Sequence, residues 1–147
     1  MLHSLPFFGT VTAGNRITMV SQKIAFPYIL DQIRLKYALG HNGLVQHSIF
    51  VSRDAEAPTT GEPTGRNVLL QYGSVGYVCG DDDVEVISDQ TIVDEMPTWI
   101  KIHVYNTDAF DHTANVLITI DDRRPNPQMT HVLELLEKLM GAQVPRA

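Results

Sequence analysis

The stretch YILDQIRLKYALGHNGLVQHSIFVS, from Tyr28 to Ser52, decides the predicted fold class of this chain. Its first half alternates apolar with polar residues, and the apolar set on one face is Ile29, Ile33, Leu35, Tyr37 and Leu39. Such alternation is typical of an antiparallel strand that buries only one face. The turn GHNG follows, in which Asn and Gly tolerate positive φ, and LVQHSIFVS then returns. The pattern therefore predicts a long β-hairpin.

Short runs of the same kind recur along the rest of the chain. RITMVS precedes the hairpin, and VLLQYG, VGYVCG, VEVISD, TIVD, WIKIHVYN and NVLITID follow it. No segment with helical periodicity lies between them, so the crossover helices of a parallel α/β fold are missing. About eight strands that each offer one apolar face must bury those faces between two sheets. We therefore predict an all-β fold, an antiparallel β-sandwich or jelly roll.

The 147 residues suit a single domain with additional segments at both ends. Residues 1–15, which contain Pro6 and Gly9, are expected to form an N-terminal arm. Residues 16–121 are expected to form the sandwich, and residues 122–147 a linker and one C-terminal amphipathic helix. Arms of this kind often reach neighbouring subunits, so the arm is a candidate contact region.

The C-terminal helix is predicted from its capping residues and its apolar stripe. Asn126 suits the N-cap, Pro127 the first helical position and Gly141 the position after the last turn. The stripe has i, i+3, i+4, i+7 spacing and consists of Met129, Val132, Leu133, Leu136, Leu139 and Met140. Two arrangements remain open, since either the chain's own sandwich or equivalent helices of symmetric copies would cover this stripe.

The composition excludes several classes of partner. The net charge is −6, and no cluster of five or more Lys and Arg forms the basic patch that nucleic acid requires. No window reaches the roughly eighteen apolar residues of a membrane helix, so we expect no membrane partner. Cys79 is the only cysteine, which rules out an intramolecular disulfide, and we expect it to be a small buried residue.

The densest cluster of reactive side chains lies in YNTDAFDHTANVLITID, from Tyr105 to Asp121. Asp108, Asp111 and His112 within it suit a metal site, an acid–base pair or a hairpin loop. The alternation on both sides favours two strands joined by a hairpin loop, where local hydrogen bonds to the backbone favour Asp. A share in a calcium site with the acidic turn Asp81–Asp83 remains as an alternative.

A metal-dependent, cupin-like enzyme is the least favoured alternative. It requires His47, His103 and His112 to converge from separate strands, but the chain lacks a His-x-His pair with a spaced Glu. It also has no Gly-x-Ser-x-Gly motif and no glycine-rich loop before a helix. We therefore predict a non-enzymatic protein without catalytic residues and without a cofactor.

Two aromatic residues suit a ligand-binding face. By alternation, Trp99 and Tyr105 share the outward face of one strand with Lys101 and His103. Exposed rings of this kind stack on sugars in carbohydrate-binding modules, so a glycan is a candidate ligand. Burial of the two rings at a subunit interface is the competing interpretation.

The order of the strands over Arg16 to Asp121 resembles that of small jelly-roll proteins of tailed bacteriophage, of the capsid decoration, head-fibre or tail accessory type. The pattern consists of the predicted hairpin, the Pro- and Gly-rich loop from Arg53 to Asn67, and the closing strands WIKIHVYN and NVLITID. The resemblance implies a virion structural protein that is made in the host cytoplasm and whose loop faces outward. A cellular protein of this kind would be cytoplasmic.

The resemblance also implies a symmetric homo-oligomer, with a trimer favoured, that contacts other virion proteins. Contacts between subunits would then involve Phe7 and Phe8 of the arm together with the stripe of the C-terminal helix. A carbohydrate-binding module that uses Trp99 and Tyr105 is the alternative from a different class of function.

Overall fold

The fold is seen in a computed structural model that describes residues 1–72, 75–123 and 135–139. The strands are β1 (Leu2–Val11), β2 (Arg16–Val20), β3 (Tyr28–Tyr37), β4 (Val45–Ser52), β5 (Arg66–Asn67), β6 (Asp83–Val93), β7 (Trp99–Asn106) and β8 (His112–Asp122). A 3-10 helix, Val68–Tyr72, follows β5, and residues 135–139 are α-helical. No helix within these ranges is long and apolar enough to cross a membrane.

The eight strands form two antiparallel, four-stranded sheets that pack face to face. The first sheet has the order β1-β8-β3-β6, and the second has the order β2-β7-β4-β5. Among the described strands, only β4 and β5 are consecutive in the chain and neighbours in one sheet. This alternation between two sheets is the jelly-roll arrangement, so the predicted fold class is confirmed.

The predicted hairpin over Tyr28–Ser52 is wrong, because its two strands lie in different sheets. β3 pairs with β6 and β8, whereas β4 pairs with β7 and β5. The turn between them crosses between the sheets, with positive φ at Gly40, Asn42 and Gly43. The stretch Tyr105–Asp121 is likewise a connection between sheets and no hairpin, since β7 and β8 are not partners. The same turn residues serve both kinds of connection.

The first fifteen residues contain a long strand where an irregular arm was expected. β1 pairs with β8 along its whole length, from Leu2 opposite Asp121 to Val11 opposite His112. Pro6 lacks an N–H group and suggests a break in the sequence, but an edge strand such as β1 tolerates it. The described sandwich therefore extends from β1 to β8, and its edge is formed by residues assigned to the arm.

The core lies between the two sheets and is formed by apolar side chains from both. Its buried members include Leu30, Ile33, Leu35, Ile49, Val51, Ile100, Ile102, Val104, Val116, Ile118 and Ile120. A β-bulge between Leu30 and Gln32 shifts the register of β3, so that Leu30 and Ile33 both point inward. Contrary to the prediction, Ile29 therefore lies on the outer side, and Leu39 is exposed in the turn.

The long loop between β4 and β5 lies over the outer face of the second sheet, where an outward-facing loop was expected. Among the contacts that hold it there, Thr18 Oγ1 donates a hydrogen bond to the Pro58 carbonyl at 3.0 Å, and Lys101 Nζ lies 2.6 Å from Asp54 Oδ1. The outer side chain of Phe50 is also buried. The loop folds back because this face carries large side chains that water solvates poorly.

A first testable prediction concerns Gly80, which packs against the ring of Tyr37. A Cβ added at Gly80 would lie 2.5 Å from Cδ2 and 2.8 Å from Cε2 of this buried ring. We expect Gly80→Ala to lower the free energy of unfolding by about 2 kcal/mol through overpacking. Gly61→Ala is the matched control, because an added Cβ there meets nothing within 4 Å. Equal midpoints of urea unfolding for the two variants would contradict the prediction.

Candidate functional site

A buried lysine connects the second sheet to the loop that covers it. Lys101 lies on the outer side of β7 and has no exposed surface. Its ammonium group donates to Asp54 Oδ1 at 2.6 Å and to Thr64 Oγ1 at 3.3 Å, and both acceptors belong to the loop. The hydrogen bond from Lys101 is the main reason that the pKa of Asp54 is held well below its usual range. Lys101 therefore holds the loop on the sheet.

A neutral histidine lies beside this lysine under the same loop. Thr18 Oγ1 donates to the Pro58 carbonyl, so it accepts from His103 Nδ1 at 3.1 Å. His103 Nε2 then accepts from the Arg16 guanidinium at 3.2 Å. Burial lowers the pKa of His103, and the positive charge of Arg16 lowers it further. Both ring nitrogens are thus engaged within the chain, so His103 is a structural group.

The two aromatic residues of the predicted ligand face are separated by this covered region. Trp99 and Tyr105 are both half-buried on the outer side of β7, and six residues of strand place them about 20 Å apart. Lys101 and His103 lie buried between them. The guanidinium of Arg16 stacks on the Tyr105 ring, 3.9 Å from its centroid. The rings do not form one continuous platform, and glycan binding stays a prediction.

Three histidines from separate segments meet at one end of the sandwich. The ring centroid of His41 lies 5.0 Å from that of His112 and 6.2 Å from that of His47. Burial is the main cause of a lowered pKa at both His41 and His47, and it lowers the pKa of His47 to about 4. The ring of Tyr37 contacts His47 edge-on at 5.5 Å. We call His41, His47 and His112 the histidine cluster.

Each end of the histidine cluster is joined to a carboxylate. His112 Nε2 lies 2.8 Å from Asp108 Oδ2, and this hydrogen bond lowers the pKa of Asp108. At the other end, the Tyr37 hydroxyl donates to Glu85, while burial strongly raises the pKa of that hydroxyl. His41 and His47 have no exposed surface. The cluster is therefore enclosed, and it offers an approaching substrate little access.

The three histidines proposed for a metal enzyme do not converge. His47 points into the core, whereas His103, opposite Ser48 on the neighbouring strand, points to the outer side of the same sheet. In the ranges that the structure describes, no three His, Cys, Asp or Glu side chains are placed to hold one metal ion. The convergence of His47, His103 and His112 that the metal-enzyme alternative requires is therefore not found, because adjacent strand positions face opposite sides of a sheet.

The acidic residues of the alternative calcium site bind backbone groups. Asp81 Oδ1 accepts hydrogen bonds from the Gly40 and Asn42 amides at 2.9 and 3.2 Å. Asp111 Oδ1 accepts from the Ala13 amide at 2.9 Å. These carboxylates therefore stabilise turns, which is the usual reason for Asp in such positions.

The predicted subunit contacts are distributed between the core, the surface and the C-terminal helix. Phe7 is buried in the core of its own chain, whereas Phe8 is 71% exposed. Leu136 and Leu139 are exposed in the helical segment 135–139. The remaining predicted contacts, Met129, Val132, Leu133 and Met140, lie outside the described residues.

One other side chain is more exposed than expected from the sequence. Cys79, expected to be a small buried residue, is exposed. Its segment lies beside β4 through backbone hydrogen bonds between Val78 and His47, which leaves the next side chain on the outside. Phe110, in the connection between β7 and β8, is also exposed, at 72%.

The outer side of the first sheet carries several exposed apolar side chains, whereas the loop covers the outer side of the second. Its side chains form four columns, with Leu2, Ser4, Pro6 and Phe8 on β1, Asp121, Thr119, Leu117 and Asn115 on β8, Ile29, Gln32, Arg34 and Lys36 on β3, and Ile92, Ser88, Val86 and Val84 on β6. The exposed apolar members are Leu2, Phe8, Val84, Val86 and Ile92. We call this surface the open face.

Two features of these sites cannot be predicted from the sequence. Lys101 alternates with core residues and is therefore expected in water, and only the loop folded over it buries its ammonium group. His112 is distant in the chain from His41 and His47, and the three meet only because the connections between sheets converge at one end. Neither feature has a local signal in the sequence.

Comparison with known proteins gives matches in structure alone. No family model matches the chain, and no curated protein matches it. Among solved structures, the chain is similar to the infectious bursal disease virus VP2 subviral particle, with 8% identity, a TM-score of 0.45, and coverage of 88% of this chain and 34% of that chain. It is also similar to a family two carbohydrate esterase from Cellvibrio japonicus, with 7% identity, a TM-score of 0.28, and coverage of 84% and 36%.

The chain is also similar to a second virus structure, that of the infectious bursal disease virus Gx strain, with 7% identity and a TM-score of 0.40. The match covers 88% of this chain and 34% of that chain. The present chain thus spans about a third of the length of the solved chains named here.

Proposed function

We propose that this chain is a non-enzymatic structural subunit of a virus particle, of the phage decoration, head-fibre or tail accessory type. The proposal rests on the difference between the outer faces of the two sheets. The chain seals one face with its own loop and leaves apolar side chains exposed on the other. An exposed apolar surface on a small jelly roll is typical of a protein that binds other proteins.

The polar clusters support a structural role over a catalytic one. Lys101 and His103 are buried and hydrogen-bonded beneath the loop, and His41 and His47 are enclosed within the sandwich. Each network therefore stabilises the fold. A catalytic site would instead be open to its substrate. A metal analysis that finds stoichiometric zinc or iron would contradict this reading.

The C-terminal helix supports self-association. Leu135, Leu136 and Leu139 are exposed in the segment 135–139. Three exposed leucines on a short helix gain free energy when they pack against a similar surface. In our proposal, equivalent helices of three copies pack together, which gives the trimer expected from the sequence, and other virion proteins bind around it.

The trimer contact is tested by replacing the exposed leucines. The Leu136→Glu/Leu139→Glu variant is expected to have one third of the wild-type mass in light scattering, because buried carboxylates would oppose helix packing. Glu137→Gln, on the same helical segment, is the matched control and should keep the wild-type mass. A full-length chain whose mass does not respond to the leucine substitutions would rule out the helix as the subunit contact.

The role in a virus particle is tested by the neighbouring genes. Decoration and tail accessory proteins are encoded beside other particle proteins, so we expect head and tail genes on both sides of this one. A position among genes of sugar metabolism would favour the carbohydrate-binding alternative, and binding of a glycan by a monomer would then be the measurement to make.

A further inference from the structure

We propose that the open face binds the open face of a second copy of this chain, with the two copies related by a two-fold axis. The inference rests on the self-association in the proposed function and names a contact that is separate from the helix. It is carried by the distribution of charge on the open face, by its apolar columns and by its area.

The open face has a basic end and an acidic end. Arg34 and Lys36 lie side by side on β3, between the columns of β8 and β6. Asp121 lies at the other end of the face, opposite Ile29, and also contacts the amino group of Met1 at 3.2 Å. Strand geometry separates the two ends by about 15 Å. The face therefore carries two positive charges at one end and, at the other, the Asp121 carboxylate, which the amino group of Met1 partly neutralises.

A two-fold axis brings these ends together. When the axis lies in the plane of the face, perpendicular to the strands, the basic end of each copy lies over the acidic end of the other. The axis passes through a row of small or polar side chains, Ser4, Thr119, Gln32 and Ser88, which lies between the two ends. Arg34 of each copy then faces the neighbourhood of Asp121 of the other, twice in the interface.

The apolar residues match under the same axis. The axis keeps each column opposite the same column of the second copy, so the exposed side chains of β6, Val86 and Ile92, face one another. In the same way, Leu2 of one copy faces Pro6 of the other on β1, and Phe8 lies at the edge of the overlap. Two apolar strips thus meet on either side of the charged centre, which is the arrangement expected of a specific interface.

The shape and area of the open face suit this contact. A shallow depression of about 240 Å³, lined by Arg34, Lys36, Val84, Asn115 and Leu117, lies at the basic end and would face the row of the second copy that contains Ile29. Four strands about 4.8 Å apart and about 30 Å long give a face on the order of 600 Å². Because the axis lies one row from the acidic end, about two thirds of each face overlaps, and the two copies together would bury about 800 Å², the size of a weak, reversible contact.

Charge reversal tests the pairing on the full-length chain. Arg34→Glu and Asp121→Arg should each reduce the mass in light scattering to half that of the wild type, because like charges then meet across the axis. The double variant Arg34→Glu/Asp121→Arg should restore the wild-type mass, since the attraction is re-formed with exchanged signs. Lys23→Glu and Glu95→Arg make the same charge changes at exposed positions outside the open face and should leave the mass unchanged.

The outcomes separate this inference from the proposed function. Circular dichroism identifies any variant that is unfolded, and for such a variant Arg34→Gln or Asp121→Asn, which weaken the attraction without reversing it, replaces the reversal. Restored mass in the double variant supports the two-fold contact. If the wild type is oligomeric and Arg34→Glu has the same mass, the two-fold contact is wrong, and the helix-mediated assembly is unaffected. A monomeric wild type overturns both.

Discussion

Lowering the pH from 7 to 4 is expected to remove a large part of the stability of this protein, because its interior holds neutral histidines. Burial lowers the pKa of His47 to about 4, and burial also lowers the pKa of His41 and of His103. A histidine in an unfolded chain has a pKa of about 6.5. Between these values the unfolded state binds more protons than the folded state does.

The direction of the effect follows from this difference in proton binding. The stabilisation by neutral His47 is fully present above about pH 6.5 and is lost as the pH falls towards 4. The difference between about 6.5 and about 4 corresponds to about 3 kcal/mol for His47 alone. Asp54 and Asp108 act in another window, because their pKa values are lowered and their contribution is lost only below about pH 4.

The variant His47→Gln tests the assignment, because glutamine keeps a polar side chain but does not titrate. Its free energy of unfolding should change by about 3 kcal/mol less than that of the wild type between pH 7 and pH 4. Urea unfolding followed by Trp99 fluorescence at each pH gives the comparison. Ile49→Val, in the same strand, should cost about 1 kcal/mol equally at every pH. Identical pH profiles of the free energy of unfolding for His47→Gln and the wild type would contradict the assignment of the pH dependence to His47.

Removing the Lys101 side chain is expected to have the second large effect. Lys101→Ala deletes a fully buried stem and its ion pair with Asp54, and we expect a loss of about 3 kcal/mol of stability. The loop between β4 and β5 should also become accessible, because Lys101 is its main polar anchor on the sheet. A protease that cuts after glutamate should then cleave at Glu56 and Glu62 faster than in the wild type.

A double-mutant cycle separates charge from packing at this site. Lys101→Met keeps the volume and removes the charge, so its stability should lie within about 1 kcal/mol of the wild type. Asp54→Asn leaves the buried ammonium without its counter-charge and should destabilise more than Lys101→Met does. The double variant should recover most of that loss. If Asp54→Asn is as mild as the exposed-site control Lys23→Met, the ion pair does not anchor the loop.

The fold class could be predicted because it depends on alternation within single strands. Ile33 and Leu35 in β3, and Ile100, Ile102 and Val104 in β7, are buried as the pattern predicts. This signal is local and survives without knowledge of the partners of each strand. The bulge in β3 shows its limit, because one extra residue reverses the side on which Ile29 lies.

The candidate sites could not be predicted to the same extent. Trp99 and Tyr105 do share one face, as alternation requires, but the loop and the Arg16 side chain that occupy this face come from other parts of the chain. His47 and His103 lie on neighbouring strands, yet the register between β4 and β7 places them on opposite sides of the sheet. Register and coverage are non-local, so a strand pattern does not contain them.

By itself, the sequence determined that this chain buries one face of each of several short strands, since period-two alternation and turn residues are read from neighbouring positions. The tertiary structure alone decided that Tyr28–Ser52 joins two sheets, that Leu2–Val11 is an edge strand, and that the loop buries Lys101. A turn does not distinguish a hairpin from a crossing between sheets, because the choice depends on which arrangement buries the most apolar surface over the whole domain.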